Sequence, residues 1–244
     1  MTAGQWFVQL NAWQVILLGL ALFGGLYLAG GLGMSALTGS LARHGMGQVL
    51  DTRPLRNDQL RREWRQSFHS VLIFGIGMVV PWGLLRLGWA HLAPEASAPR
   101  IVLEIVVLMI WNDVHFWINH RLLHTRWLVR FHGDHHRSVV TTPWSTYSFH
   151  PIEALMLGNI ILLPMLVHDF SFWSLAAVPV LSLLLNVIGH SNYDFFPRVD
   201  LAHPLAASRR HHLHHARPGG NYGFALPFMD QLMRTQVQAA PPSR

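Results

Sequence analysis

The stretch IVLEIVVLMIWNDVHFWINHRLLH, residues 101–124, decides the fold. From Ile101 to about Asn119 it is apolar enough to cross a hydrocarbon layer of about 30 Å, which takes about 20 residues at a helical rise of about 1.5 Å each. It ends in His120 and His124, and residues four apart share one face of a helix. A membrane helix thus delivers two imidazoles to the edge of the bilayer.

The rest of the chain has the same character. Of 244 residues, 51 % are hydrophobic and only 12 % charged, too apolar a mixture for an ordinary soluble domain. Further spans are expected from Trp13 to about Leu37 and from about Ser70 to Ala93. Ile152 to Val167 and Phe170 to Gly189, parted by His168 and Asp169, read as a helical hairpin whose short first arm either crosses or only dips in. The expected class is all-α: a multi-pass membrane bundle of about five spans, or four plus a re-entrant hairpin, with a histidine-rich helical cap. The expected divisions are residues 1–100, N-terminal membrane helices and an arginine-rich loop; 101–235, a catalytic domain; and 236–244, a loose tail.

Arginine sets the orientation, because basic residues stay on the cytoplasmic side of short loops. Arg43, Arg53, Arg56, Arg61, Arg62 and Arg65 follow span one; Arg121, Arg126, Arg130 and Arg137 follow span three; six more lie after Gly189. Only Arg86 and Arg100 flank the opposite loop, HLAPEASAP. The N terminus is therefore expected outside and the C terminus in the cytoplasm, in a bacterial inner membrane. A formal charge of +6 is explained by this asymmetry and by anionic headgroups, so nucleic acid is not an expected partner. With no basic leader and no cleavage site, span one reads as a retained helix. The absence of cysteine excludes disulfides, thiolate metal sites and cysteine nucleophiles.

On this topology the histidines converge. His120 and His124 end span three; His132, His135 and His136 follow in the same loop; His150 opens the hairpin and His190 closes it; His211, His214 and His215 lie in the C-terminal segment. The two triplets have the form HxxHH, and each could grip a metal from one helical turn. Eight ligands exceed what one ion takes, so two ions close together are more economical. Imidazole suits iron, zinc, copper or nickel, whereas calcium and magnesium want oxygen. His44, His69, His91, His168 and His203 read as ordinary capping or surface residues. His115 lies in span three but off the face of His120, and His212 points away from its neighbours.

Two carboxylates stand out. Asp113 is expensive within apolar sequence unless it faces a partner. It shares a face with His120 and His124, and either accepts the N–H of a metal-bound imidazole or makes an interhelical hydrogen bond. Glu153 could orient His150 or Arg137, or favour its own helix N-terminus through the dipole. Trp111, Trp117, Trp127, Trp144 and Tyr147 flank the site, as an aromatic belt or as the lining of a lipid tunnel.

The segments DVHFWINHRLLH, RFHGDHH, SFHPIE, GHSN, HHLHH and NYGFALPFMD stand in the order and spacing of the fatty acid hydroxylase superfamily, which includes sterol desaturases and lipid hydroxylases. The resemblance spans roughly residues 110–235. It implies a membrane oxygenase with a histidine-ligated, non-haem di-iron centre, O2 as co-substrate and zinc as a substitute in a purified sample. His120, His124, His132, His135, His136, His211, His214 and His215 resemble the family's metal ligands. His190 resembles a further ligand from the last hairpin, and His150 is a weaker candidate for ligand or support. Some relatives carry a histidine where this chain has Asp194, leaving water, Asp194 or nothing in that place. MDQLMRT replaces the family's usual tryptophan-aspartate and phenylalanine-glycine-threonine ending.

The expected activity is O2-dependent hydroxylation of a C–H bond in a lipid substrate. A desaturase with the same centre is its alternative, and a histidine-based metal transporter is the non-enzyme alternative. No dinucleotide or phosphate loop is present. Electrons are therefore expected from an external donor: a ferredoxin or cytochrome-type carrier fed by an NAD(P)H reductase, docking on the arginine-rich face.

Overall fold

The computed structural model describes residues 1–237, and the apolar runs fold as helices with recognisable stops. Helices α1 (Ala3–Gln9) and α2 (Ala12–Arg43) each open with a reciprocal cap, Thr2 with Gln5 and Asn11 with Gln14. In each cap the side chains satisfy backbone N–H groups that the first turn leaves open. The second span is longer than its apolar core suggested, because helix begins at Gln59 and not near Ser70. It runs as α3 (Gln59–Gly77) and α4 (Val79–Arg86). Pro81 has no N–H to return to Gly77, which is where the helix is interrupted.

The polar first half of α3 was unreadable as membrane helix because it faces protein. Glu63 is fully buried and accepts hydrogen bonds from Gln59, Ser138 and Thr142. Helix α2 packs directly on α3, where Gly19 touches Gly75: a Cβ at Gly19 would stand 2.5 Å from the Gly75 carbonyl oxygen. Only residues without side chains allow backbones this close.

Helix α5 (Ala98–Leu123) crosses next, beginning after Ser97 with Pro99 in its first turn. The hairpin arm is two short helices, α7 (Pro151–Gly158) and α8 (Leu162–Val167), and α9 (Phe172–Gly189) returns. The arm runs from one end of α5 to the other. It starts where Glu153 meets His132, and it ends where Asp169 and Ser171 meet Arg100 and Glu104, at the other end of α5. At its break the Ile160 carbonyl accepts the Trp111 indole N–H, so the interruption leaves that group satisfied inside the membrane. Four helices are long and apolar enough to span, and α7 with α8 is a shorter apolar stretch beside them. The protein is a multi-pass helical membrane bundle.

Glu104 does not reach water. It is buried at the end away from the histidines, where it pairs with Arg100 and accepts from Ser171 and Ser174 at the start of α9. At the histidine end, β1 (Gln48–Val49) pairs with β2 (Tyr193–Asp194), fastening the loop after α2 to the chain leaving α9. The cap is completed by α6 (Val129–His136), α10 (Ala207–Ala216) and α11 (Phe228–Leu232). Of the expected tail 236–244, Val237 returns its N–H to Asn221, and residues 238–244 lie outside the described residues.

Candidate metal centre

Nine histidines gather at the cap end, in two groups. One holds His120, His124, His132, His136 and His214; the other holds His135, His190, His211 and His215. Within each group the available nitrogens all lie within 4.8 Å of one another. The grouping departs from one sequence expectation: neither triplet falls within a single nitrogen group. His132 and His136 enter the first group while His135 enters the second, and His214 enters the first while His211 and His215 enter the second. The cause is helical geometry. Residues i and i+4 nearly superpose along an axis, whereas i+3 is offset to the other side, so one turn of α6 and one of α10 each face two sites. The two sites are thereby forced to be neighbours.

At two of the contacts no proton lies between the nitrogens. Five rings have Nδ1 at an acceptor: His120 at the Tyr222 carbonyl (2.8 Å), His132 at Glu153 Oε1 (2.8 Å), His135 at the Ser148 carbonyl (3.2 Å), His190 at the Asn186 carbonyl (2.9 Å) and His214 at the Gly220 carbonyl (2.7 Å). An acceptor there fixes the hydrogen on Nδ1 and leaves a lone pair on Nε2. The Nε2 atoms of these rings and of His136 and His211 crowd together, and His120 with His132 and His135 with His190 meet lone pair to lone pair. The separations are 3.1 Å for His120 to His132, 3.0 Å for His132 to His136 and 3.1 Å for His136 to His214. In the second group they are 3.2 Å for His135 to His190 and 3.0 Å for His190 to His211. Lone pairs facing lone pairs repel unless a cation stands among them. Two nitrogens each about 2.1 Å from one ion at a right angle are about 3.0 Å apart. The donor set therefore fits transition-metal ions, and these nine nitrogens could hold two of them.

Electrostatics agree with neutral ligands. Burial, helped by His214 and Arg121, pulls the His124 ring down to about 3. Burial likewise brings His190 to about 4, against the opposing pull of the Asn186 carbonyl. His214 is brought to about 4 by burial, with the Gly220 carbonyl opposing. His135, His211 and His215 are pushed well below the ordinary histidine range by burial and by neighbouring imidazoles, His190 among them for each. Rings that resist protonation keep their lone pairs available for metal.

The remaining sequence candidates have other roles. Asp113 touches no histidine: its two oxygens accept the backbone N–H groups of Ala225 (3.0 Å) and Leu226 (2.7 Å). It is a structural anchor for the loop that crosses the site, since backbone N–H groups claim both oxygens. Glu153 does accept an imidazole N–H, but from His132 and not from His150. His150 is the N-cap of α7, its Nδ1 accepting from Ile152, and it belongs to neither nitrogen group. Asp194 also lies outside both groups; its carboxylate accepts from the Phe196 N–H and faces Arg209 at 3.2 Å. His115 bonds Asn159.

The carbonyls of Ser148, Asn186, Gly220 and Tyr222 were not foreseen, because any residue can supply a carbonyl. Asp230 was also missed. It accepts from Trp117, Tyr222, Gly223 and Thr235, and so holds the loop that positions His120 and His214. Of the aromatic residues proposed as tunnel lining, Trp144 and Tyr147 pack with Tyr27, and Trp117 is engaged by Asp230. A small cavity does lie beside both groups, walled by Phe116, Leu123, Phe149 and Leu157 and bordered by rings of each.

The family profile described as fatty acid hydroxylase matches residues 105–235. The chain is 25 % identical over 189 residues to a putative methylsterol monooxygenase of Dictyostelium discoideum, covering 72 % of this chain and 69 % of that protein. It is 31 % identical over 111 residues to a Δ7-sterol 5(6)-desaturase of Eremothecium gossypii, covering 43 % and 31 %. It is 32 % identical over 143 residues to a very-long-chain aldehyde decarbonylase of Oryza sativa subsp. indica, covering 55 % and 53 %. It thus spans about a third to half of the latter two proteins. No solved structure matches. The matched segment contains all nine converging histidines and more than half of the chain, which belongs to the fatty acid hydroxylase family.

Proposed function

We propose that this protein is a membrane oxidoreductase that hydroxylates a C–H bond of a lipid with O2, at two iron ions held by the nine histidines. The observation that carries the reading is the convergence of nine imidazole nitrogens, five of them left with a lone pair by an acceptor at the opposite nitrogen, into two adjacent groups at the end of apolar helices. No side chain is basic or nucleophilic enough to attack an unactivated C–H bond, and bound iron would supply that oxidation with dioxygen. A monooxygenase and a desaturase among its relatives favour lipid redox chemistry over metal transport.

The protein's own groups do the rest. Glu153 and the four carbonyls fix each bonded ring in one tautomer and orientation. The four-histidine group has one ligand fewer than its neighbour, and open coordination is what a reacting centre requires. Phe116, Leu123, Phe149 and Leu157 give the small adjoining cavity an apolar wall opposite the imidazoles, against which the reacting end of a hydrocarbon chain would lie. The histidine end is assigned to the cytoplasm because fifteen of the seventeen arginines among the described residues gather there. That basic face would receive an acidic electron carrier.

Desaturation is the sibling reading, since removal of a first hydrogen is common to both outcomes and a sterol desaturase is among the relatives. Expression in a lipid-producing host under isotopically heavy O2, followed by mass spectrometry, decides. A lipid gaining one heavy oxygen supports hydroxylation, and one losing two hydrogens supports desaturation. His135→Ala should abolish either change. A lipid profile identical with and without the protein, while it carries iron and a reductant, contradicts both.

A further inference from the structure

His115 is the intramembrane histidine that the metal groups leave unused. It lies five residues before His120, about 7 Å deeper along the helix. An ionisable side chain at such depth is costly unless it faces a partner. It borders a groove of about 330 Å³ between α5 and the break from α7 to α8, walled by Trp111, Ile118 and Leu162. Neighbouring Ile118 and Leu163 are exposed, so this groove opens on the outer surface of the bundle and is separate from the cavity beside the metal groups.

The hydrogen bonds in the groove are directional. His115 Nε2 donates to Asn159 Oδ1 at 2.8 Å, so the hydrogen is on Nε2 and the lone pair on Nδ1. Asn119 spends one of its two Nδ2–H groups on the His115 carbonyl, and Asn159 one of its own on the Leu155 carbonyl. Two acceptors remain without a hydrogen bond among the described residues: His115 Nδ1 and Asn119 Oδ1. No arginine borders the groove. A carbonyl or phosphate could only accept from the amide N–H groups that Asn119 and Asn159 have left and would leave both acceptors bare, whereas a hydroxyl can donate to an acceptor and accept from such an N–H.

We infer that this groove binds the hydroxyl end of an uncharged long-chain lipid, with His115 and Asn119 as its hydrogen-bond acceptors. The site stands apart from the metal chemistry and would persist in metal-free protein.

Diazirine-bearing oleyl alcohol, photo-activated with the full chain in phosphatidylcholine nanodiscs, tests it, alongside a diazirine-bearing alkane of equal length. The alcohol should label residues 111–119 and 159–163 more strongly than the alkane does. In His115→Leu and in Asn119→Leu that labelling should fall about fivefold, as expected for one ordinary hydrogen bond. His115→Gln, which keeps an acceptor, should retain most of it, and all three variants should keep their bound metal as evidence of folding. Equal labelling by alcohol and alkane, or undiminished labelling in a metal-retaining His115→Leu, overturns the proposal.

Discussion

Glu153 and His132 meet in a dry setting: Oε1 lies 2.8 Å from Nδ1, and the two side chains are exposed to only 1 % and 2 %. The carboxylate fixes the tautomer and raises the basicity of the opposite nitrogen. Glu153→Ala should therefore weaken metal binding about 10- to 100-fold, measured by competition with a coloured chelator. His150→Ala, which removes only a helix cap, should leave metal affinity unchanged. The reverse ranking would restore the sequence expectation that His150 supports the metal.

The division of each HxxHH triplet between two groups can be tested by metal counting. His132→Ala with His214→Ala damages one group twice and should leave about one ion per chain, whereas His132→Ala with His135→Ala damages both and should leave fewer. If each triplet held its own ion, the order would be opposite.

Asp113 holds the 225–226 backbone. Asp113→Asn sets an amide N–H against one of two backbone N–H donors, which should lower stability by about 2 kcal/mol. The thermal midpoint should fall while iron per chain is retained. Loss of iron at unchanged thermal stability would instead make Asp113 a partner of the metal ligands.

Stability of the chelator-stripped protein should depend on pH in a defined window. The buried rings titrate below their unfolded value of about 6.5, His190 and His214 at about 4. Between these values the unfolded chain binds protons that the folded chain refuses, so stability falls as pH falls from about 6.5 to about 4. Denaturant midpoints across that range, without metal, measure the slope. A stripped protein equally stable at both ends would contradict the assignment of neutral, buried rings.

The membrane class was legible because Ile101 to Asn119 and its companion runs are apolar over a bilayer's width, which no other constraint disguises. The start of α3 was not, since Gln59 and Glu63 are polar yet buried against Val140, Ser138 and Thr142, a pairing invisible before the chain folds. The eight motif histidines were legible through spacing, and His190 through family resemblance. Which group each joins was not, because i+3 and i+4 are both neighbours on a helix and only the position of α10 against α6 separates them. The carbonyls of Ser148, Asn186, Gly220 and Tyr222 leave no trace in residue type.

The central claim is that the Nε2 atoms of His120, His124, His132, His136 and His214, and those of His135, His190, His211 and His215, surround two redox-active ions. X-ray absorption on protein loaded anaerobically with iron tests it most directly. It should give about two irons per chain, with a first shell dominated by nitrogen near 2.1 Å and outer scattering from imidazole rings. Protein that retains no iron, or iron in an oxygen-dominated shell without imidazole scattering, would contradict it.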